Sequence, residues 1–475
     1  MKLLASIIGK DNQKISYNDL LNFIKATDIE YVNFIYVGED GKIKKLSFYN
    51  FSLDYIKKIL LFGERADGSS IFKFLINEKS DIYIVPIYNT AFIDPFSKFK
   101  SINVFCTFFD SFGNELNVNP FYILKKANKY FEEKTNLRVK VLGELEFFII
   151  YDKSKNKNTE YNEFNLKNHP NYKSYHESYP YILGEDLRLE AMKLICELGG
   201  KVKYSHTECA CFSFDNYYIE QHEIEFLLDN VVNMANLLYL AKWVLHNLAK
   251  KYDVIVSFIP KIALDKAGNG LHFHYCFEDF NGSLVEDESL IESSIKGLIS
   301  NADLLCAFGN TIPISYLRFL PGYEAPIATT IGQFNRTSLI RIPLSWDSNK
   351  DIVAEANSFS EKNINLKKEK TIEYRAADGS ANIYLFLSAF ILSIVDGILN
   401  QNLQVIEKNL PKSCYEAALA LEYKKNILLE NEIFPKSIID YYIEKLKSFE
   451  DKDLKEKFLY DSNLLKNEIE KYIFY

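Results

Sequence analysis

A chain of 475 residues with 48% hydrophobic and 25% charged residues has a globular composition and is too long for one ordinary core. Two domains, or one large barrel-like domain with an appendage, are expected. The net charge of −8 comes with no basic stripe, which argues against a nucleic-acid partner.

Residues 1–110 read as a small α/β unit. Strand-like runs at 31–37 and 42–48 flank Glu39-Asp40-Gly41, an Asp-Gly hairpin signal. A helix is expected over 53–61, then a polar loop over Arg65–Ser70 and a strand over 81–86. The pattern changes at about 111. Pro120–Thr135 has the spacing of an amphipathic helix and leads into a strand over 138–150. Residues 151–178, rich in Asn, Lys, Tyr and Ser, read as an exposed insertion or flap. A helix over 185–198 ends at Gly199-Gly200, a strand follows over 201–208, and a long helix is expected from about Gln221 to Lys251. Further strands are centred on 254–259, 271–277, 337–342 and 371–375. Residues 383–399 read as a buried helix and 413–474 as charged helices. That apolar helix contains Asp396 and is short for a bilayer span, so no membrane partner is expected. The seven cysteines include no CxxC pair and the N-terminus has no secretory cleavage pattern, which points to a reduced, cytoplasmic protein.

The chemistry-bearing motifs are short. In Gly143-Glu144-Leu145-Glu146 two carboxylates leave the same face of an otherwise apolar strand. Buried like charges need a cation, whereas a solvated strand face is the plain alternative. His272-Phe273-His274 repeats the spacing with imidazoles behind Ala267-Gly268-Asn269-Gly270, and Glu373-Tyr374-Arg375 repeats it with an opposite-charge pair. His206-Thr207-Glu208 and Gln221-His222-Glu223 add two carboxylates. Such an oxygen-rich set suits Mg²⁺ or Mn²⁺ better than zinc. Arg318, Arg336, Arg341 and Arg375 supply groups that grip phosphate or carboxylate. The chain has no Walker, dinucleotide or protein-kinase motif, so any nucleotide must be held by another architecture.

Taken together and in order, these segments resemble the glutamine synthetase family of the type I kind. The matching runs extend from Asp67-Gly68-Ser69-Ser70 through Arg318–Pro326 and Asn335–Pro343 to Asp378 and Ser380-Ala381-Asn382. The resemblance implies an α+β fold, with an N-terminal β-grasp-like domain over 1–110 and a catalytic domain over 111–475 built on a curved antiparallel half-barrel. It implies a homo-oligomer, usually a dodecamer, with active sites between subunits, two or more Mg²⁺ or Mn²⁺ ions per site, and ATP as substrate. One metal would sit on Glu146, Glu208 and Glu223 and the other on Glu144, His272 and Glu373. Arg336 and Arg341 would stabilise the transferring phosphoryl group, with His274 and Lys368 near the nucleotide. Arg318, Arg375 and the Gly268 backbone would hold glutamate. Asp67 would deprotonate ammonium, and Glu324 would close the flap.

The chain departs from the family pattern at Ala267, where an Asn is usual, at Cys276, at Thr371, and in a longer link between Glu208 and Gln221. Three readings follow. The chain is a glutamate–ammonia ligase, or it ligates γ-glutamyl groups to an organic amine such as a polyamine or ethanolamine, or it is a silent structural relative. Retention of Asp67 and all six metal-ligand positions favours the first.

Overall fold

The structure, a computed structural model, describes residues 3–75, 80–156, 159–160, 162, 173–333, 335–343, 356–357, 370–400, 403 and 405–474. Two sheets organise it. In the N-terminal part, β1 (Tyr31–Val37) pairs antiparallel with β2 (Ile43–Tyr49). The link between them turns at Gly41, which takes φ 71°, a conformation only glycine adopts without cost. Helix Leu53–Phe62 leads on to β3 (Glu64–Asp67), β4 (Asp81–Pro86), the short β5 (Phe92–Ile93) and β6 (Ser101–Phe109). The strand order is β2-β1-β6-β4-β3, with β1 and β6 parallel at the centre, which is the β-grasp arrangement expected. The segment expected as a polar loop over Arg65–Ser70 is instead the end of β3 and a single helical turn, Gly68–Ile71. The cause is local: Asp67 caps that turn, accepting hydrogen bonds from the Ser69 amide and hydroxyl and the Ser70 hydroxyl.

The second sheet has ten strands and curls into a half-barrel. In chain order they are β7 (Arg138–Asp152), β8 (Val202–Phe214), β9 (Tyr217–Phe226), β10 (Asp229–Asn230), β11 (Ile255–Ser257), β12 (Leu271–Glu278), β13 (Leu284–Val285), β14 (Ile331–Gln333), β15 (Ile340–Ile342) and β16 (Ile372–Tyr374). The main path runs β14-β15-β16-β12-β7-β9-β8. Its apolar face packs on helices Val231–Lys251 and Ile383–Leu399. Phe273 stacks on Phe386 at 5.2 Å between ring centroids, and Tyr275 meets Phe390 edge-on at 5.5 Å. Helix Ile383–Leu399 is buried along nearly its whole length, as its predominantly apolar sequence predicts.

The long helix expected from Gln221 begins ten residues later, at Val231, where the Asn230 side chain accepts from the Val232 amide. Residues 217–226 are strand β9. They do alternate, with Gln221, Glu223 and Glu225 on one face and Ile224 and Phe226 on the other, but the buried polar pair Glu220 and His222 on the apolar side masks the period. β8 likewise runs six residues past the expected Glu208. Between Thr207↔His222 and Cys211↔Glu220 three residues of β8 face one of β9, so a β-bulge carries Glu208. Beyond it the hairpin packs on the last helices through Phe212, Phe458, Leu465 and Ile469. Much of the expected insertion at 151–178 lies outside the described residues. Of the rest, Tyr151 and Asp152 complete β7 and Thr159, Asn162 and Ser174 are buried, while Ser154, Lys155, Glu160, Lys173, Tyr175, His176 and Ser178 are exposed as expected.

Helices Glu288–Ser300 and Ile383–Leu399 approach backbone to backbone at Gly297 and Gly397, where an added Cβ on Gly397 would overlap the Ser293 carbonyl. Gly→Ala inside a helix normally stabilises, but here the neighbour is backbone and cannot yield. Gly397→Ala is therefore expected to cost about 1–3 kcal/mol, measured as a lower melting temperature. A variant melting at or above the wild type would refute the close approach.

Candidate active site

Register brings distant residues to one face of the second sheet. Glu144 lies opposite His272 on β12 and Glu225 on β9, and Glu146 lies opposite Glu223. Glu223 in turn faces His206 on β8, while Glu373 on β16 faces both His274 and Arg341. Directly opposed residues of antiparallel strands share a face, so the two-residue spacing seen within each motif extends across six strands. Glu144, Glu146, His206, Glu223, His272 and Arg341 line a cavity of about 530 Å³, while Glu225, His274 and Glu373 are buried beside it.

Two groups of potential ligands have their atoms within 4.8 Å of one another: Glu144, His272 and Glu373, and His206, Glu208 and Glu223. A third combination, Glu144, Glu223 and Glu225, bridges them. The carboxylates repel. Burial, reinforced by Glu146, pushes Glu208 up to about 8. Burial together with Glu144, Glu146 and Glu208 pushes Glu223 well above the usual carboxylate range. Glu144 behaves oppositely: burial alone would raise it, but His274 and His272 beside it hold it well below its ordinary value. Glu373 is also held down: burial alone would raise it, but Arg375, His274 and His272 together outweigh that. One oxygen of Glu225 is buried with no hydrogen-bond partner. A donor set of crowded carboxylates with imidazole fits one or two hard divalent cations, and its oxygen content fits Mg²⁺ or Mn²⁺ rather than zinc.

Guanidinium groups line the other side. Arg318 is 3% exposed and donates to the Ala376 and Ala377 carbonyls at 2.9 and 3.0 Å. Arg375 donates to Glu373 and, at 2.9 Å, to the Glu324 carbonyl, while Arg341 reaches Glu373 at 2.8 Å. The Nε–H groups of Arg318, Arg341 and Arg375 are all buried without an acceptor. Three unused donors beside buried carboxylates make a receptor for anionic groups. Above them runs the loop Pro321–Pro326. Gly322 (φ 92°) and Glu324 (φ 58°) are both left-handed there, an unusual conformation for a glutamate. The Glu324 carboxylate holds Arg336 at 3.4 Å.

Most residues singled out in the sequence meet in this cavity. Glu146 lines it but belongs to neither ligand group, since its Oε2 accepts from the Gly270 amide at 2.7 Å and from Gln221 at 3.1 Å. Gly268 lines it with bare backbone; a Cβ there would overlap the Pro260 carbonyl. His274 sits behind Glu144, fixed between it (2.8 Å) and the Thr371 hydroxyl (2.9 Å). Asp67 is exposed on the N-terminal sheet and does not line the cavity. Lys368 lies outside the described residues. Among the departures, Ala267 lines the cavity and Cys276 does not. The sequence motifs give no role to His206, Tyr204 or Glu225. His206 stands two residues before Glu208, the same spacing used to find Glu144 and Glu146, while Glu225 was hidden by the helix expected over β9.

Comparison with known proteins gives one consistent result. The family model described as the glutamine synthetase catalytic domain matches residues 117–459, and the one described as the glutamine synthetase beta-Grasp domain matches residues 28–111. A glutamine synthetase of Azorhizobium caulinodans is 29% identical over 469 residues, covering 90% of this chain and 94% of its own length. One of Aquifex aeolicus is 26% identical over 475 residues, covering 92% and 95%. Among solved structures, a Plasmodium falciparum glutamine synthetase superposes with a TM-score of 0.75 at 21% identity, covering 92% of this chain and 96% of that one. Ligand-free GmaS superposes with a TM-score of 0.71 at 18% identity, covering 91% and 95%.

If the carboxylates await a cation, Mg²⁺ or Mn²⁺ should raise the melting temperature, since a ligand that binds only the folded state stabilises it. Glu223→Gln removes a buried repulsion, so in the presence of a chelator it should melt above the wild type while losing most of the metal-dependent rise. A wild-type melting curve indifferent to both ions would contradict the cation-site reading.

Proposed function

The chain belongs to the glutamine synthetase family, a family of ligases, and from that premise we propose that it joins L-glutamate and ammonia to form L-glutamine, using ATP and passing through γ-glutamyl phosphate. The observation that carries this reading is the convergence of five strands' carboxylates and imidazoles, with three guanidiniums that have free Nε–H groups, in and around one cavity.

Two divalent cations, when bound, supply the positive charge that lets a nucleotide polyphosphate approach these carboxylates and lowers the charge on the phosphoryl group in transfer. One would be held by Glu144, His272 and Glu373, the other by Glu208 and Glu223 with Glu146 or His206. Arg341 and Arg336 are placed to stabilise the phosphoryl oxygens, and Arg318, Arg375 and the Gly268 backbone to orient glutamate. His274 acts from behind Glu144, keeping that carboxylate charged and aimed, and Lys368 is assigned to the nucleotide. Glu324, on its strained loop, covers the acyl phosphate against water. Asp67 takes the proton from ammonium. Its exposure on the N-terminal sheet fits service to a neighbouring copy in a ring-forming homo-oligomer, of which a dodecamer is the family's usual form. Among the described residues no helix is long and apolar enough to cross a membrane, and we assign the protein to the cytoplasm.

One observation favours the organic-amine reading as runner-up. Tyr175, Tyr204 and His206 line both this cavity and a second, more open cleft, so the site continues past His206 into space that ammonia does not need.

Purified protein with Mg–ATP should release phosphate only when glutamate and ammonium are both supplied. Release with an organic amine but not with ammonium would replace the first reading by the second. Glu146→Ala should abolish turnover, because it removes the group that ties Gly270 and Gln221 beneath the site. Near-normal turnover in that variant would sink this assignment.

A further inference from the structure

Two loops frame the proposed glutamate end of the cavity, and the side chains of Lys261 and Tyr323 join them. Lys261 is 1% exposed and begins the loop that ends at Gly268. Its Nζ donates to the Lys266 carbonyl, closing that loop on itself, and stands 4.1 Å from the ring centroid of Tyr323 in the loop Pro321–Pro326. Its stem presses on Gly268, where a Cβ would come within 3.0 Å of Lys261 Cδ. The nearby carboxylate, Asp265, pairs with Lys266 rather than with Lys261. Burial, followed by the proximity of Arg318, pushes Lys261 down to about 7. A buried ammonium resting on one carbonyl and one aromatic face does not serve charge balance. It is an expensive group to bury, and the contact that distinguishes it is the ring.

The ring belongs to the residue before Glu324, whose carbonyl receives Arg375 and whose carboxylate receives Arg336. Movement of Tyr323 would therefore move the partners of both arginines. Resting on the ligase reading above, we propose that the Lys261–Tyr323 pair is a clasp holding the flap in register over the Gly268 loop, which makes Lys261 a positioning residue for the closed, water-excluding state. Without the clasp, water reaches the acyl phosphate. Its oxygen forms a bond to the γ-carbonyl carbon, the bond from that carbon to the bridging phosphate oxygen breaks, and the water's protons pass to solvent. Glutamate and inorganic phosphate result, with no amide. The signature is phosphate made in excess of product, together with a looser flap.

Both are measurable on the full chain. Hydrogen exchange over residues 319–328 should quicken several-fold in Lys261→Met and in Tyr323→Ala, and no further in the double variant, since each removes the same contact. Phosphate released per amide formed should rise several-fold in both, be largely restored by Lys261→Arg, and stay near the wild-type ratio in Tyr323→Phe, which keeps the ring. Should Lys261→Met misfold, Tyr323→Ala, at a partly exposed side chain, still decides. Unchanged exchange in these variants, or effects that multiply in the double variant, would overturn the clasp. A wild type that releases no phosphate with glutamate together with ammonium or an organic amine would overturn the ligase reading, and flap exchange would still decide the clasp.

Discussion

Mutual repulsion among carboxylates that share one face of a curved sheet is the constraint from which the rest of this molecule follows. Glu144, Glu146, Glu208, Glu223, Glu225 and Glu373 are brought together by strand register, and water is largely excluded from them. Such a face is tolerable only where positive charge is supplied. The chain supplies part of it permanently, on the β12–β16 side, through His272, His274, Arg341 and Arg375. On the β8–β9 side Lys203 pairs with Glu225, but Glu208 and Glu223 have little beyond His206 and are pushed toward their protonated forms. The asymmetry separates a half of the site that is electrically satisfied from a half that calls for an external cation.

The scaffold is arranged around that face. The opposite side of each site strand is apolar, Leu145, Phe147, Leu271, Phe273 and Tyr374 packing on helices Val231–Lys251 and Ile383–Leu399. Strand alternation turns one chain direction into two environments, a dry core below and a charged floor above. Even the polar residues on the core side are neutralised locally. Glu220 accepts from the Leu183 and Gly184 amides, and His222 contacts Arg188 at 2.9 Å, which fixes the start of helix Glu185–Glu197 behind the floor.

The floor was legible in the sequence because every motif uses the same two-residue period: Glu144/Glu146, His272/His274 and Glu373/Arg375 each lie on uninterrupted apolar strands. Helices with clean periods or caps, Pro120–Thr135 and Ile383–Leu399, were read to the residue. β9 was not, because Glu220 and His222 place polar atoms where alternation predicts apolar ones, and their partners come from residues 183–188, invisible to local pattern. Nor was the convergence of the strands itself legible, since the order β16-β12-β7-β9-β8 depends on pairings between residues as far apart as Arg138 and Glu278. The helical turn after Asp67 escaped notice for a simpler reason: a single capped turn is too short to leave a period.

The bulge in β8 has a consequence for how this architecture tolerates change. Because the two surplus residues are absorbed between Thr207 and Cys211, the aim of Glu208 is set before the distal part of the hairpin begins. That distal ribbon, tipped by Asp215-Asn216, is held instead by the C-terminal helices, through Phe212 and the Lys466–Asp215 pair. It can lengthen or shorten by paired residues while the metal-facing geometry stays constant, leaving this stretch open to drift in descendants whose reaction does not alter.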